Sequence, residues 1–283
     1  MIDSLVLTGM VIKATDVGEF DKRLVILTKE RGKIVAFARG ARRPKSMFVA
    51  VTRIFAFGEF ILYEGREAYT LQKADIENYF TEISNDIEAM CYGSYFLEFA
   101  DYFTKEGISG TETLKLIYQS LRALQNNKIP NELVRYIYEL KMLCINGEYP
   151  NMFECVSCKN EDVSMFSVIK GGMLCDKCAG KAGDTVHLDT STIYAMQYII
   201  TSKIEKLYTF IVNEEVLNEI GFIMKRYVKN YVDKEFNSLE ILNIEINYFI
   251  MYNILSFIIS LIVYERKQLA IWQMRNRSEW RII

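Results

Sequence analysis

Along the first 80 residues the apolar positions come in short runs set close together. Ser4 to Lys13 alternates loosely, with Leu5, Leu7 and Met10 among polar residues. Arg23 to Thr28 carries Leu24, Val25, Ile26 and Leu27; Gly32 to Arg39 carries Ile34, Val35 and Phe37; Ile54 to Tyr63 carries Phe55, Phe57 and Phe60; Tyr69 to Gln72 is a short fifth run. Gly18-Glu19, Lys29-Glu30-Arg31-Gly32 and Glu64-Gly65-Arg66 separate them. Short apolar runs between glycine and charged breakers predict strands, and five of them in about 75 residues predict a small closed barrel of the OB type, the count alone also allowing an SH3-like barrel.

From about Ile83 the period changes. Ile87, Met90, Cys91, Ser94, Tyr95 and Leu97 fall at helical spacing, as do Leu114, Ile117, Tyr118, Leu121 and Leu124, and then Leu133, Ile137, Leu140 and Cys144. Pro130-Asn131 marks the start of the third stripe. Cys91 and Cys144 lie on apolar faces and are read as core thiols. Residues 149–180 interrupt the helices, which resume after a predicted cap at Asp189 through Ile193, Met196, Tyr198 and Ile199; Asn213 is placed to cap a last long helix ending near Asp233. The expected organisation is α+β and multidomain: an OB-fold barrel at 1–80, a helical domain at 81–148 and 183–243, and an inserted segment at 149–182. An atypical extension at 244–283 follows.

The chain has 283 residues, half of them hydrophobic and a quarter charged, which is enough apolar surface for a substantial core. Three prolines argue against a long proline-rich linker. Met1 to Lys13 has no basic start followed by an apolar run, so a signal peptide is not expected, and reduced cytoplasmic thiols are. His187 is the sole histidine, which excludes a His-based catalytic pair within one chain. There is no G-x-x-x-x-G-K-[ST] loop, G-x-S-x-G elbow or H-E-x-x-H pair, so no catalytic constellation is expected.

The inserted segment carries Cys155-Val-Ser-Cys158 and Cys175-Asp-Lys-Cys178, sixteen residues apart. Each pair can turn two thiolates onto one ion, and the segment between them reads as a hairpin: strand-like Val163 to Ile169, a turn at Gly171-Gly172, and a return through Met173-Leu174. This is the spacing of a zinc ribbon, in which four thiolates fill a tetrahedral ion and leave no open position, so one structural Zn2+ is expected; two redox-active pairs are the other reading.

The net charge of −2 excludes a globally basic coat, yet Lys22 to Arg53 holds ten basic residues against the single acid Glu30. Such a patch attracts phosphates whatever the net charge, with binding that weakens steeply with salt. Lys22, Arg23, Arg31, Lys33, Arg39, Arg42, Arg43, Lys45 and Arg53 are therefore the candidate nucleic-acid contacts, with 38–45 read as a flexible basic loop. Phe37, Phe48, Phe55 and Phe57 lie nearby; bases can stack on such rings, but filling the barrel core is the preferred reading.

Taken in order, several stretches make the chain resemble the bacterial recombination mediator family RecO. They are Val17-Gly18-Glu19 with Asp21, Leu27-Thr28-Lys29-Glu30-Arg31-Gly32-Lys33, Ala38 to Ser46, Tyr63-Glu64-Gly65-Arg66-Glu67, and Tyr149-Pro150 ahead of the first cysteine pair. Phe166-Ser167, Gly171-Gly172 and the second pair complete the string, which spans residues 1–243. The resemblance implies an amino-terminal OB fold, a helical carboxy-terminal region interrupted by a zinc ribbon, and binding of single- and double-stranded DNA. It implies annealing of complementary strands, work with RecR to load RecA, and docking onto the acidic tail of single-stranded DNA-binding protein, in a cytoplasmic, nucleoid-associated setting. For that tail, Arg122, Arg135 and Lys141 beside apolar stripes are the candidate cations. Val17 departs from the aromatic that many relatives carry before Gly-Glu; Phe20 is placed to compensate.

The likeness ends near Asn243. Ile246 to Tyr264 is nineteen residues without a charge, followed by Glu265-Arg266-Lys267 and a stretch with Arg275, Arg277 and Arg281. A membrane anchor, an extra packed helix and a non-native addition all remain open for it. The overall expectation is a non-enzymatic DNA-repair mediator; the rival is a zinc-ribbon scaffold whose basic face binds an acidic protein.

Overall fold

The computed structural model describes residues 4–242 except residue 127. The sequence expectations for 244–283 lie outside the described residues. Five strands, β1 (Ser4–Val17), β2 (Asp21–Thr28), β3 (Gly32–Ala38), β4 (Phe57–Glu64) and β5 (Tyr69–Asn78), close into a barrel in the order β1-β2-β3-β5-β4. All neighbours are antiparallel except β3 and β5, which meet in parallel over Ala36–Tyr69 and Phe37–Thr70. This is the OB-like barrel that the run spacing predicts. The interior is filled by inward positions of every strand, among them Leu7, Val11, Leu24, Ile26, Ile34, Phe60, Leu62 and Leu71. In β2 the residues from Leu24 to Thr28 are buried on both faces, because the outer face packs on the helix Thr111–Leu124. That explains why β2 reads as a continuous apolar run and not as an alternation.

Two strand expectations need correction. The fourth strand begins at Phe57 and not Ile54: after the short α1 (Phe48–Val51) the chain turns, and Phe55 adopts a left-handed backbone with φ +70°. The fifth runs ten residues, far beyond Gln72, because its second half pairs with β4 along an edge whose outward positions are polar. Local apolarity hides a strand of that kind.

Helices α2 (Ile87–Phe103), α3 (Thr111–Leu124) and α4 (Asn131–Ile145) follow, then the ribbon, then α6 (Thr190–Thr201) and α7 (Glu214–Tyr231). The central α4 touches α2, α3, α6 and α7, and fittingly Leu133, Val134, Ile137, Tyr138, Leu140, Met142 and Leu143 are all buried. The caps fall where the sequence places them: Asp189 accepts from Ser191 N–H, and Asn213 from Val216 N–H at 2.9 Å. Barrel and helices form one compact unit ending at Phe236, with a second unit beginning at Asn237. They meet tightly at Gly32, whose φ is +65° and where a Cβ would stand 2.1 Å from the Ile108 carbonyl oxygen. Only glycine fits there. Among the described residues no helix is long and apolar enough to cross a membrane.

Candidate metal centre and nucleic-acid interface

The ribbon is built from two knuckles on a small sheet. Strands β6 (Met165–Ser167) and β7 (Gly172–Leu174) form the expected hairpin; β8 (Thr185–His187), absent from the sequence reading, pairs on the other side of β6. Three residues are too few to show a period. The first knuckle closes through Lys159 N–H to the Cys155 carbonyl at 2.9 Å, with Lys159 at φ +65°. The second opens the short α5 (Asp176–Ala179), where Cys178 and Ala179 N–H groups both donate to the Cys175 carbonyl. Asp184 braces the hairpin by accepting from Ser167 Oγ at 2.6 Å and from Ile169 N–H at 2.9 Å. Against its slight burial, these bonds hold its carboxyl below the usual range.

The four Sγ atoms of Cys155, Cys158, Cys175 and Cys178 lie within 4.8 Å of one another, with Cys158 and Cys175 at 3.6 Å. A tetrahedral ion with metal–sulfur bonds of about 2.3 Å needs its ligands about 3.8 Å apart, so the donor set fits a closed four-thiolate metal site. The thiols interact strongly without an ion. Burial opposes ionisation of Cys155, but backbone N–H groups of the knuckles bring it down to about 6. Cys178, bonded to Cys158 and Cys175, is pushed up to about 12. Such a cluster sheds its remaining protons only when a cation replaces them.

The basic residues of the barrel divide in two. Three are held by acids: Arg31 by Glu64 at 2.6 Å, with Tyr69 Oη also accepting from it; Lys33 by Asp101 at 2.8 Å; and Arg42 by Asp16 at 3.1 Å. These acids come from β4, α2 and β1. Lys22, Arg23, Arg39, Arg43, Lys45 and Arg53 have no ion pair among the described residues. The loop read as flexible is in fact pinned to the β1–β2 turn. Gly40 N–H donates to Asp21 Oδ1 at 2.7 Å, Arg42 N–H to the Phe20 carbonyl at 2.8 Å, and Ala41 is buried in the barrel core. Arg43 stacks its guanidinium 5.1 Å from the ring centroid of Phe20, which is 37% exposed. Phe55 is buried, Phe48 packs against the barrel core and Phe57 packs at a tilt against Tyr118 of α3, so these rings are committed to packing.

Arg122, Arg135 and Lys141 are not brought together as a cationic rim. Arg122 is exposed. Arg135 Nε donates to the fully buried Glu139 at 2.7 Å, and Tyr95 Oη donates to the same carboxylate oxygen. Lys141 is buried and donates to the carbonyls of Ile199, Ile200 and Ser202 at the end of α6, where it satisfies carbonyls the helix leaves free. Cys144 lies half-buried beside it, its thiol raised to about 11 chiefly by burial. Cationic side chains on an amphipathic helix look alike in sequence whether they face water, a buried acid one turn along or the carbonyls of another helix.

Comparison with known proteins matches residues 1–80 to the family model described as Recombination protein O N terminal, and residues 84–240 to Recombination protein O C terminal. The DNA repair protein RecO of Acetivibrio thermocellus is 34% identical over 236 residues, covering 82% of this chain and 94% of that protein. Those of Alkaliphilus metalliredigens and Halalkalibacterium halodurans are each 30% identical, covering 82% and 79% of this chain and 96% and 88% of theirs.

Proposed function

Because the chain belongs to the RecO family of DNA repair proteins, we propose that it is a recombination mediator that binds single- and double-stranded DNA, anneals complementary strands and works with RecR to load RecA. The observation that carries this reading is Arg43 over the exposed Phe20, with Arg39 and Lys45 on the same loop and none of the three ion-paired among the described residues. Hydrogen bonds hold that loop rigid against the barrel. Cations held in place neutralise phosphates without sequence preference, and an aromatic face beside them accepts an unpaired base. Lys22, Arg23 and Arg53 extend the cationic surface.

Annealing by such a surface needs no chemical step. Two strands repel through their phosphates; once both backbones are neutralised, base pairing supplies the driving force. The protein therefore acts without catalytic residues. The ion of the four-cysteine site is zinc in this reading, held by Cys155, Cys158, Cys175 and Cys178; it supplies cross-linking of the ribbon and no reactivity. RecR and the acidic tail of single-stranded DNA-binding protein are its protein partners, and RecA is engaged through them. Of the three cations expected at the tail site, Arg122 alone is without an ion pair or internal hydrogen bond among the described residues, and Arg122→Ala is the substitution expected to weaken tail-peptide binding. This reading makes the protein cytoplasmic and nucleoid-associated.

The test is annealing of complementary strands coated with single-stranded DNA-binding protein. The chain should accelerate it many-fold, with a rate that falls steeply as salt rises. No acceleration, together with no salt-dependent binding to bare strands, overturns the reading and leaves the basic face to an acidic protein.

A further inference from the structure

A cleft of about 400 Å3 opens between the barrel and the helices. Lys22 of β2 and Arg53 of the turn after α1 line it together with Tyr79, Thr81, Ser84 and Met90. No carboxylate lines it, and neither cation is ion-paired among the described residues. Tyr79 is 36% exposed and Met90 is 41% exposed, so an apolar, aromatic surface stands open beside two free cations.

The cleft is a constructed feature. Of the four non-glycine residues with positive φ among the described residues, two flank it: Phe55 at +70° and Phe80 at +50°. Both rings are buried. Phe55 is wedged against α2, where a Cβ on Gly93 would lie 3.1 Å from its ring, and its N–H donates to the Val11 carbonyl at 3.0 Å. Phe80 sits edge-on to Tyr118 at 5.2 Å, its N–H donating to Asn78 Oδ1 at 2.8 Å. Left-handed backbone at a phenylalanine persists only where its surroundings over-determine it, and such residues gather at ligand sites. Here each anchors its own ring inside and leaves the residues before it, Arg53-Ile54 and Tyr79, facing the cleft.

We propose that this cleft seats one unstacked base of a single strand. Tyr79 stacks on the face of the base, the hydroxyls of Thr81 and Ser84 meet its edge, and Lys22 and Arg53 hold the flanking phosphates. The inference rests on the DNA-binding reading above and deepens it. The cleft volume falls within the range of small-molecule sites. An aromatic paired with cations is the chemistry that binds single-stranded nucleic acid without regard to sequence. Bases in a duplex are stacked on both faces and cannot enter, so this subsite responds to single strands alone, whereas phosphate contacts at Arg39, Arg43 and Lys45 serve both forms.

Equilibrium binding of the full chain to an oligothymidine, to a strand of equal length lacking its bases, and to a duplex tests the proposal. The parent should bind the base-free strand about tenfold more weakly than oligothymidine. Tyr79→Ala should lose about tenfold on oligothymidine and nothing on the base-free strand or the duplex, and Tyr79→Trp should bind as the parent does. Lys22→Gln with Arg53→Gln should flatten the single-strand salt dependence by up to about 0.7 for each cation removed. A parent indifferent to removal of the bases overturns the proposal without reference to any variant, as does Tyr79→Ala binding oligothymidine like the parent. A parent that binds none of the three ligands refutes the broader DNA-binding reading instead.

Discussion

Replacing Arg135 by methionine keeps the apolar stem and removes only the guanidinium. In the parent, Glu139 is fully buried; one carboxylate oxygen accepts from Arg135 Nε and from Tyr95 Oη, each at 2.7 Å, and the other has no hydrogen-bond partner among the described residues. Arg135 also lies over the Tyr95 and Tyr136 rings, 5.4 and 5.6 Å from their centroids. Burial works against its charge, but Glu139 outweighs this and raises its pKa. Arg135→Met strands a buried carboxylate, which costs about 3–5 kcal/mol. For a unit of this size each kcal/mol moves the melting temperature by about 2–4 °C, so a fall of roughly 6–20 °C is expected. Adding Glu139→Gln removes the charge while keeping an acceptor for Tyr95, and should return stability to within about 1–2 kcal/mol of the parent. Circular-dichroism melts read parent, single and double variant. A single variant that melts with the parent, or a double variant no better than the single, would refute the buried-pair argument.

Two further outcomes follow from the site geometry. Arg39→Ala, Arg43→Ala and Lys45→Ala together, sparing the structurally tied Arg42, should flatten the single-strand salt slope by up to about 2. Their melting should hold, since such exposed changes cost within about 0.5 kcal/mol; an unchanged slope would move the phosphate contacts elsewhere. Elemental analysis of freshly reduced protein should find one zinc per chain. A chromogenic chelator should draw it off faster as pH falls, because protons compete for the thiolates and Cys178 without the ion is pushed up to about 12. Metal-free protein with an intact ribbon would overturn the zinc assignment.

Features that depend on neighbours along the chain are legible in the order of its residues. The two C-x2-C pairs with their glycine turn specify a ribbon, because each knuckle is closed by bonds within a few residues, such as Lys159 N–H to the Cys155 carbonyl. Asp189 and Asn213 announce the helices they cap, since a cap needs only the next turn. The barrel too was legible: short apolar runs between glycine and charged breakers leave few ways to bury themselves. Which cations lack an ion pair among the described residues emerges only once the chain is folded. Arg31, Lys33, Arg42, Arg135 and Lys141 read like their neighbours, yet each is matched to an acid or a carbonyl, in most cases on a different element. The fold likewise decides that β5 continues through a polar stretch, that Phe55 leaves the strand to plug the barrel against α2, and that Tyr79 is left facing a cleft. Hydrophobic period and capping are local free energies, readable one segment at a time. Charge pairing and backbone strain are set by what the rest of the fold brings alongside.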